Sequence, residues 1–155
     1  EGGGGPVSRH KSLNYAAHWR ARRVAAEGGY AEALEYDSQG NVLEGATSNL
    51  FIVSQGSVMT PPLEMPLLPG ITRAAVLELA AAVGVPAHER VLSRADVRDA
   101  DEAFLTNAVA GILPLTSVDG HSVGDGRVGA LTSELMAAYG AAVAAGFNAG
   151  RDAGS

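Results

Sequence analysis

Three positions in this 155-residue chain carry side chains that could do chemistry jointly: Lys11, Glu44 and Thr72. A lysine whose pKa is lowered beside a pocket can attack an aldehyde and form a Schiff base, although most lysines are simply solvated. Glu44 closes the stretch Asn41-Val42-Leu43-Glu44 just before Gly45-Ala46-Thr47-Ser48. A carboxylate there could point into a cleft or stand in water at a sheet edge. Thr72 follows Leu67-Leu68-Pro69-Gly70-Ile71 and precedes an apolar helical pattern. Pro69 and Gly70 stop the loop, and Thr72 opens the predicted helix. The first turn of a helix has unpaired N–H groups and the positive end of the macrodipole, so the Gly70-Ile71-Thr72 turn is a ready anion seat. Alone, the same pattern is a turn and a cap. Thr106-Asn107 ends a later apolar stretch, where Asn107 could also serve as a turn residue.

An amine, an acid and an anion seat together suit pyridoxal 5'-phosphate, which needs a lysine for its aldehyde, an acid for its ring nitrogen and a cradle for its phosphate. An acid beside the ring nitrogen keeps it protonated and makes the ring an electron sink.

Composition narrows the remaining classes. The formal net charge is −6, and the one basic cluster, Arg20, Arg22 and Arg23, lies on a predicted helix as a solvated face, so a nucleic-acid surface is not expected. Cysteine is absent, which rules out disulfides and thiolate chemistry and fits a cytoplasmic setting. No apolar run approaches the roughly 20 residues of a membrane-spanning helix. His10, His18, His88 and His121 show no metal-ligand spacing.

The elements that must position these groups follow from periodicity. Residues 1–6, with Gly2 to Gly5, read as a flexible leader or a cut edge. A helix is predicted over Ala16–Glu27, stopped by Gly28-Gly29. Strands are predicted at Tyr30–Tyr36, Asn41–Glu44 and Asn49–Val53, with a hairpin through Gln55-Gly56 into Ser57–Thr60. The prolines of 61–66 make that stretch irregular. The Thr72 helix runs to Gly84 and a strand is expected over Val85–Val91. Ser93 caps a short helical piece at Arg94–Arg98. Strands then follow at Asp101–Asn107 and Gly111–Val118, a turn at Asp119-Gly120, and a last helix over Leu131–Ala145. Residues 147–155 read as a frayed tail. This is a mixed α/β order without regular βαβ alternation.

Five motifs fall in a telling sequence: Lys11-Ser12-Leu13-Asn14-Tyr15, Glu44-Gly45-Ala46-Thr47-Ser48-Asn49-Leu50-Phe51, Thr60-Pro61-Pro62, Leu68-Pro69-Gly70-Ile71-Thr72-Arg73 and Asp101-Glu102-Ala103-Phe104-Leu105-Thr106-Asn107, with Asp119-Gly120 after them. Their order resembles that of the class IV (fold type IV) pyridoxal-phosphate enzymes, which include branched-chain and D-amino-acid aminotransferases and aminodeoxychorismate lyases. The resemblance implies a sheet curled into a pseudo-barrel with packed helices, as in the large domain of that family, over residues 7–146. It implies Lys11 as the lysine that binds the cofactor and shuttles the proton, and Glu44 at the pyridine nitrogen. Ile71 and Thr72, after Gly70, would hold the phosphate, with Leu68 on the ring, Tyr15 near the ring oxygen and Asn107 at the phosphate end. It further implies an amine or amino-acid substrate and a homodimer.

Two departures shape the functional expectation. The family's N-terminal domain is missing here, so that domain or a companion chain is an expected partner. Where aminotransferases carry a hydroxyl for the phosphate, this sequence has Asn107-Ala108. The Asn-Ala form is similar to that of the lyases, and it favours aminodeoxychorismate lyase, which yields 4-aminobenzoate and pyruvate. The alternatives are an amino-acid aminotransferase and a non-catalytic cofactor-domain fragment.

Overall fold

The computed structural model describes residues 15–146. It opens with α1 (Tyr15–Glu27), whose last turn closes as Gly29 takes φ +80° and the Tyr30 N–H reaches back to the Ala25 carbonyl at 2.8 Å. That is the glycine-ended closure expected of Gly28-Gly29. β1 (Leu34–Tyr36) and β2 (Asn41–Gly45) pair antiparallel, with a bulge between Leu34 and Tyr36. β1 is shorter than the predicted Tyr30–Tyr36 because Glu32 and Ala33 bond to the turn after β2 instead of extending the ladder. β3 (Asn49–Ser54) and β4 (Ser57–Thr60) form the expected hairpin. Both residues at its tip, Gln55 and Gly56, have positive φ, as a two-residue turn of matching twist demands.

Residues 61–70 are irregular, and α2 (Ile71–Ala82) follows, starting one residue before Thr72. β5 (Ala87–Glu89) runs parallel to β4. β6 (Leu92–Ser93) leads into α3 (Arg94–Arg98), where Ser93 and Asp96 form a reciprocal capping box. β7 (Glu102–Asn107), β8 (Gly111–Pro114), the small hairpin β9 (Ser117–Val118) with β10 (His121–Ser122), and α4 (Ala130–Ala144) complete the chain.

The main sheet has the order β5-β4-β3-β7-β8 and a three-stranded sheet the order β1-β2-β6. The expectation of a pseudo-barrel is corrected here: the described strands form separate open sheets, and no barrel closes. At one edge β5 is only three residues long. At the other, Pro114 has no N–H with which to extend the ladder.

Period-two alternation splits the main sheet's side chains between two cores. Leu50, Ile52, Ala103 and Leu105 pack with Val42, Leu92 and Val97 towards the smaller sheet and α3. Phe51, Val53, Phe104 and Ile112 pack with Val76, Ala80 and Leu135 beneath α2 and α4. Phe51 and Phe104 face each other across the β3–β7 pair and stack with ring centroids 5.0 Å apart. This second core fixes the start of α2 over the end of β7.

Candidate functional site

Glu44 sits at the end of β2 and is almost completely buried. Its Oε2 accepts hydrogen bonds from the Leu68 N–H at 3.0 Å and from Asn49 Nδ2 at 3.2 Å. Oε1 takes none among the described residues. Burial pushes the carboxyl up to about 7; the Leu68 N–H works against that rise, and the negative charge of Glu35 adds to it. A carboxylate this dry and supplied at only one oxygen waits for a further N–H donor, preferably a cationic one.

Asn49 joins this acid to the segment before α2. Its Nδ2 also donates to the Leu68 carbonyl at 2.8 Å, so one side chain holds Glu44 and Leu68 together. A Cβ on Gly70 would collide with Asn49 Oδ1, so only glycine allows this close approach. Sequence reading quoted Asn49 within a motif but gave it no role. The usable signal was an amide heading an otherwise apolar strand, Leu50 to Val53, where a buried polar group must have partners.

The start of α2 lies next to this cluster. Gly70 is its N-cap and contributes no side-chain cap. The N–H groups of Ile71 and Thr72 have no acceptor among the described residues, which leaves an anion seat at the positive end of the helix. The Thr72 hydroxyl is buried and donates to the Asn107 carbonyl at 3.0 Å, tying the helix to the end of β7. Asn107 then uses Oδ1 to accept the N–H groups of Val109 (3.0 Å) and Ala110 (2.7 Å), closing the turn into β8. One residue earlier, the Thr106 hydroxyl is buried and has no hydrogen-bond partner among the described residues. Arg73, also buried, donates to the Pro61 carbonyl at 2.9 Å and pairs with Glu89 on β5, anchoring the helix from behind.

The structure therefore brings Glu44, Leu68, Gly70, Ile71, Thr72 and Asn107 into one region. Lys11 lies outside the described residues. Tyr15 is described only as the first residue of α1. Among the described residues no group of three or more His, Asp or Glu gathers as a metal site, and no described helix is long and apolar enough to cross a membrane.

The residues present fit the group that the sequence implies. A dry carboxylate with one oxygen that takes no hydrogen bond among the described residues suits a pyridinium N–H, and an uncapped helix start suits a phosphate.

Comparison with known proteins identifies the family. Residues 4–118 match the family described as amino-transferase class IV. The branched-chain-amino-acid aminotransferase of Salmonella typhimurium strain LT2 is 40% identical over 134 residues, covering 86% of this chain and 43% of the relative. The structure of the branched-chain amino acid aminotransferase from Escherichia coli superposes with a TM-score of 0.82 at 38% identity, over 90% of this chain and 47% of that one. The enzyme from Thermobaculum terrenum, solved in its PLP-form, gives 0.84 at 37% identity, over 91% and 46%. The chain thus spans less than half the length of the relatives it matches. It belongs to the class IV aminotransferases, the fold type IV pyridoxal-phosphate family that its motifs resemble.

Proposed function

We propose that this chain is the cofactor-binding portion of a pyridoxal-phosphate-dependent branched-chain amino acid aminotransferase. The single observation that carries the reading is the joint placement of the half-supplied Glu44 carboxylate and the uncapped start of α2, linked through Asn49 and Leu68. Likeness to branched-chain aminotransferases, at 40% identity to the Salmonella typhimurium relative, supports the aminotransferase branch over aminodeoxychorismate lyase. The Asn107-Ala108 feature that pointed to the lyase has a local explanation. The Asn107 amide closes the β7–β8 turn and its carbonyl accepts from Thr72, which is an architectural duty compatible with either reaction.

When bound, pyridoxal phosphate supplies an electron sink for a carbanion at the substrate α-carbon. This chain's own groups prepare the place. Glu44 Oε1 is the acceptor for the ring N–H, and ionising Glu44 against its dry surroundings makes it a strong partner for positive charge there. The Leu68 and Asn49 donors fix the carboxylate plane. The N–H groups of Ile71 and Thr72 would hold the phosphate, and Leu68, bonded to Glu44 through its N–H, would pack on the ring. Lys11 is the amine that engages the aldehyde and then moves the proton at the substrate α-carbon. The remaining substrate contacts, a homodimeric assembly and the domain supplying the rest of the pocket belong to the complete protein.

Borohydride reduction of the cofactor-loaded protein, followed by peptide mapping, tests the reading. A pyridoxyl group on Lys11 is expected, and its absence would overturn the assignment. With leucine, isoleucine or valine and 2-oxoglutarate, the complete protein should form glutamate. Pyruvate and 4-aminobenzoate from aminodeoxychorismate, formed without a keto acid acceptor, would favour the lyase instead.

A further inference from the structure

Glu32 stands outside every role assigned so far, yet its carboxylate is the hub of the turn that carries the acid. The turn Gly45–Ser48 joins β2 to β3, so the residues on either side of it are Glu44 and Asn49. Glu32 Oε2 accepts from the Thr47 hydroxyl at 2.7 Å and the Ser48 hydroxyl at 3.2 Å. Its Oε1 accepts from the Ala33 N–H at 3.1 Å, and the Ala33 carbonyl in turn accepts from the Ala46 N–H at 2.9 Å. The turn is tight enough that Gly45 N–H donates to the Ser48 carbonyl at 2.7 Å, and a Cβ on Gly45 would collide with Ser48 Oγ and press on Glu32 Cγ. A residue 15 positions before Thr47 thus closes a loop whose two ends are the paired Glu44 and Asn49.

We propose that Glu32 is a positioning residue: its carboxylate locks the Gly45–Ser48 turn so that Glu44 and Asn49 keep the spacing needed to seat the cofactor's ring nitrogen. This rests on the reading of Glu44 as the acid of the cofactor site. The effect is local, because Thr47 is the one exposed residue of the turn while Gly45, Ala46 and Ser48 are buried beside Glu44 and Asn49. A slack turn would let the Glu44 carboxylate swing from the Leu68 N–H and admit water beside it. Burial is the largest cause of that carboxyl's raised proton affinity, so water dominates the response and the affinity falls. Among the described residues, the charge felt at Glu44 from the packed elements is that of Glu35 on β1, and it stays in place in every variant below.

The test follows the Glu44 carboxyl carbon by NMR in the cofactor-free full chain, with pyridoxal phosphate affinity measured in parallel by equilibrium dialysis. Glu32→Ala should move the Glu44 titration from about 7 towards the ordinary carboxylate value by about one pH unit and weaken cofactor binding about tenfold. Thr47→Val, a substitution at an exposed position, should do the same in smaller measure without unfolding the chain. Ser93→Ala, which loosens the remote capping box, should move neither quantity. If Glu32→Ala and Thr47→Val leave the titration and the affinity at wild-type values, the proposal is overturned. If Glu44→Gln itself fails to change cofactor affinity, the site reading falls first, and that outcome is separable from the Glu32 result.

Discussion

Two helices in this fold begin at a glycine beneath the same apolar roof, and their starts are treated in opposite ways. Gly129 precedes α4, and there Glu102 reaches over from β7. It accepts the N–H groups of Leu131 at 3.1 Å and Thr132 at 2.7 Å together with the Thr132 hydroxyl at 2.7 Å. A Cβ on Gly129 would collide with that carboxylate. Gly70 precedes α2, and the close neighbour across it is the neutral amide of Asn49, aimed at Glu44 and Leu68 instead of the helix. One helix start is filled by the protein's own anion, and the other has no side-chain acceptor among the described residues and is the proposed seat of the cofactor's phosphate. The nearby carboxylate that could have filled the second seat, Glu44, is turned away from it and held dry. Folding stability is thereby given up at α2 and Glu44, as is usual where a site must stay competent for a ligand.

The comparison breaks first at Glu44. Glu44→Gln should lower the transamination rate of the complete protein by about 100- to 1,000-fold, the scale of removing one preorganised electrostatic contact, measured as glutamate formed from 2-oxoglutarate. The same substitution has a distinct signature without cofactor. The folded-state pKa of Glu44, about 7, lies above its unfolded value, so the folded chain binds the extra proton. The stability contributed by the neutral acid is complete below the ordinary carboxylate value of about 4.5 and is lost as pH rises through 7. Thermal melts of the cofactor-free chain should therefore decline across that window in the wild type and stay flatter in Glu44→Gln. Parallel declines would show that the carboxylate is not held dry.

At the filled seat, Glu102→Ala removes the acceptor of three donors and should cost about 2 kcal/mol, read by urea unfolding, with cofactor affinity unchanged. Placing a carboxylate at the open seat tests the converse. Ile71 is exposed, so Ile71→Glu should stabilise the cofactor-free chain by about 0.5 kcal/mol through the helix dipole. It should also weaken pyridoxal phosphate binding severalfold, because the new charge opposes the phosphate. Tighter binding in that variant would refute the seat. The smallest contrast is the third helix start, α3, which caps itself through Ser93 and Asp96. Ser93→Ala should cost about 1 kcal/mol in unfolding experiments and leave cofactor binding alone.

What sequence could reveal depended on whether a residue's partners were local. The capping box at Ser93, the Gln55-Gly56 hairpin, the glycine-ended α1 and the irregular 61–66 stretch depend on neighbours within a few residues, and each was legible. The start of α2 was legible for the same reason, although the helix starts at Ile71 and the Thr72 hydroxyl turns to the Asn107 carbonyl. Glu44 was legible as an acid at a turn, but its burial and its bond from Leu68, 24 positions later, were not, because both are made by tertiary packing. Asn49 and Glu102 stood in quoted motifs without a role, and Glu32 in none, because their meaning lies in partners from other strands and turns. The pseudo-barrel came from resemblance, and the open edges at β5 and β8 replace it. The lyase preference rested on Asn107, whose side chain is occupied within its own turn.

Arg73 remains, and it settles what happens when the open seat is loaded. Its guanidinium fastens the third residue of α2 both to the chain leaving β4 and to the parallel edge strand. The head of the helix is therefore tethered to two elements of the main sheet's edge. If the cofactor's phosphate seats there as proposed, it would meet amide groups already stationed, the entropy of ordering them having been settled during folding.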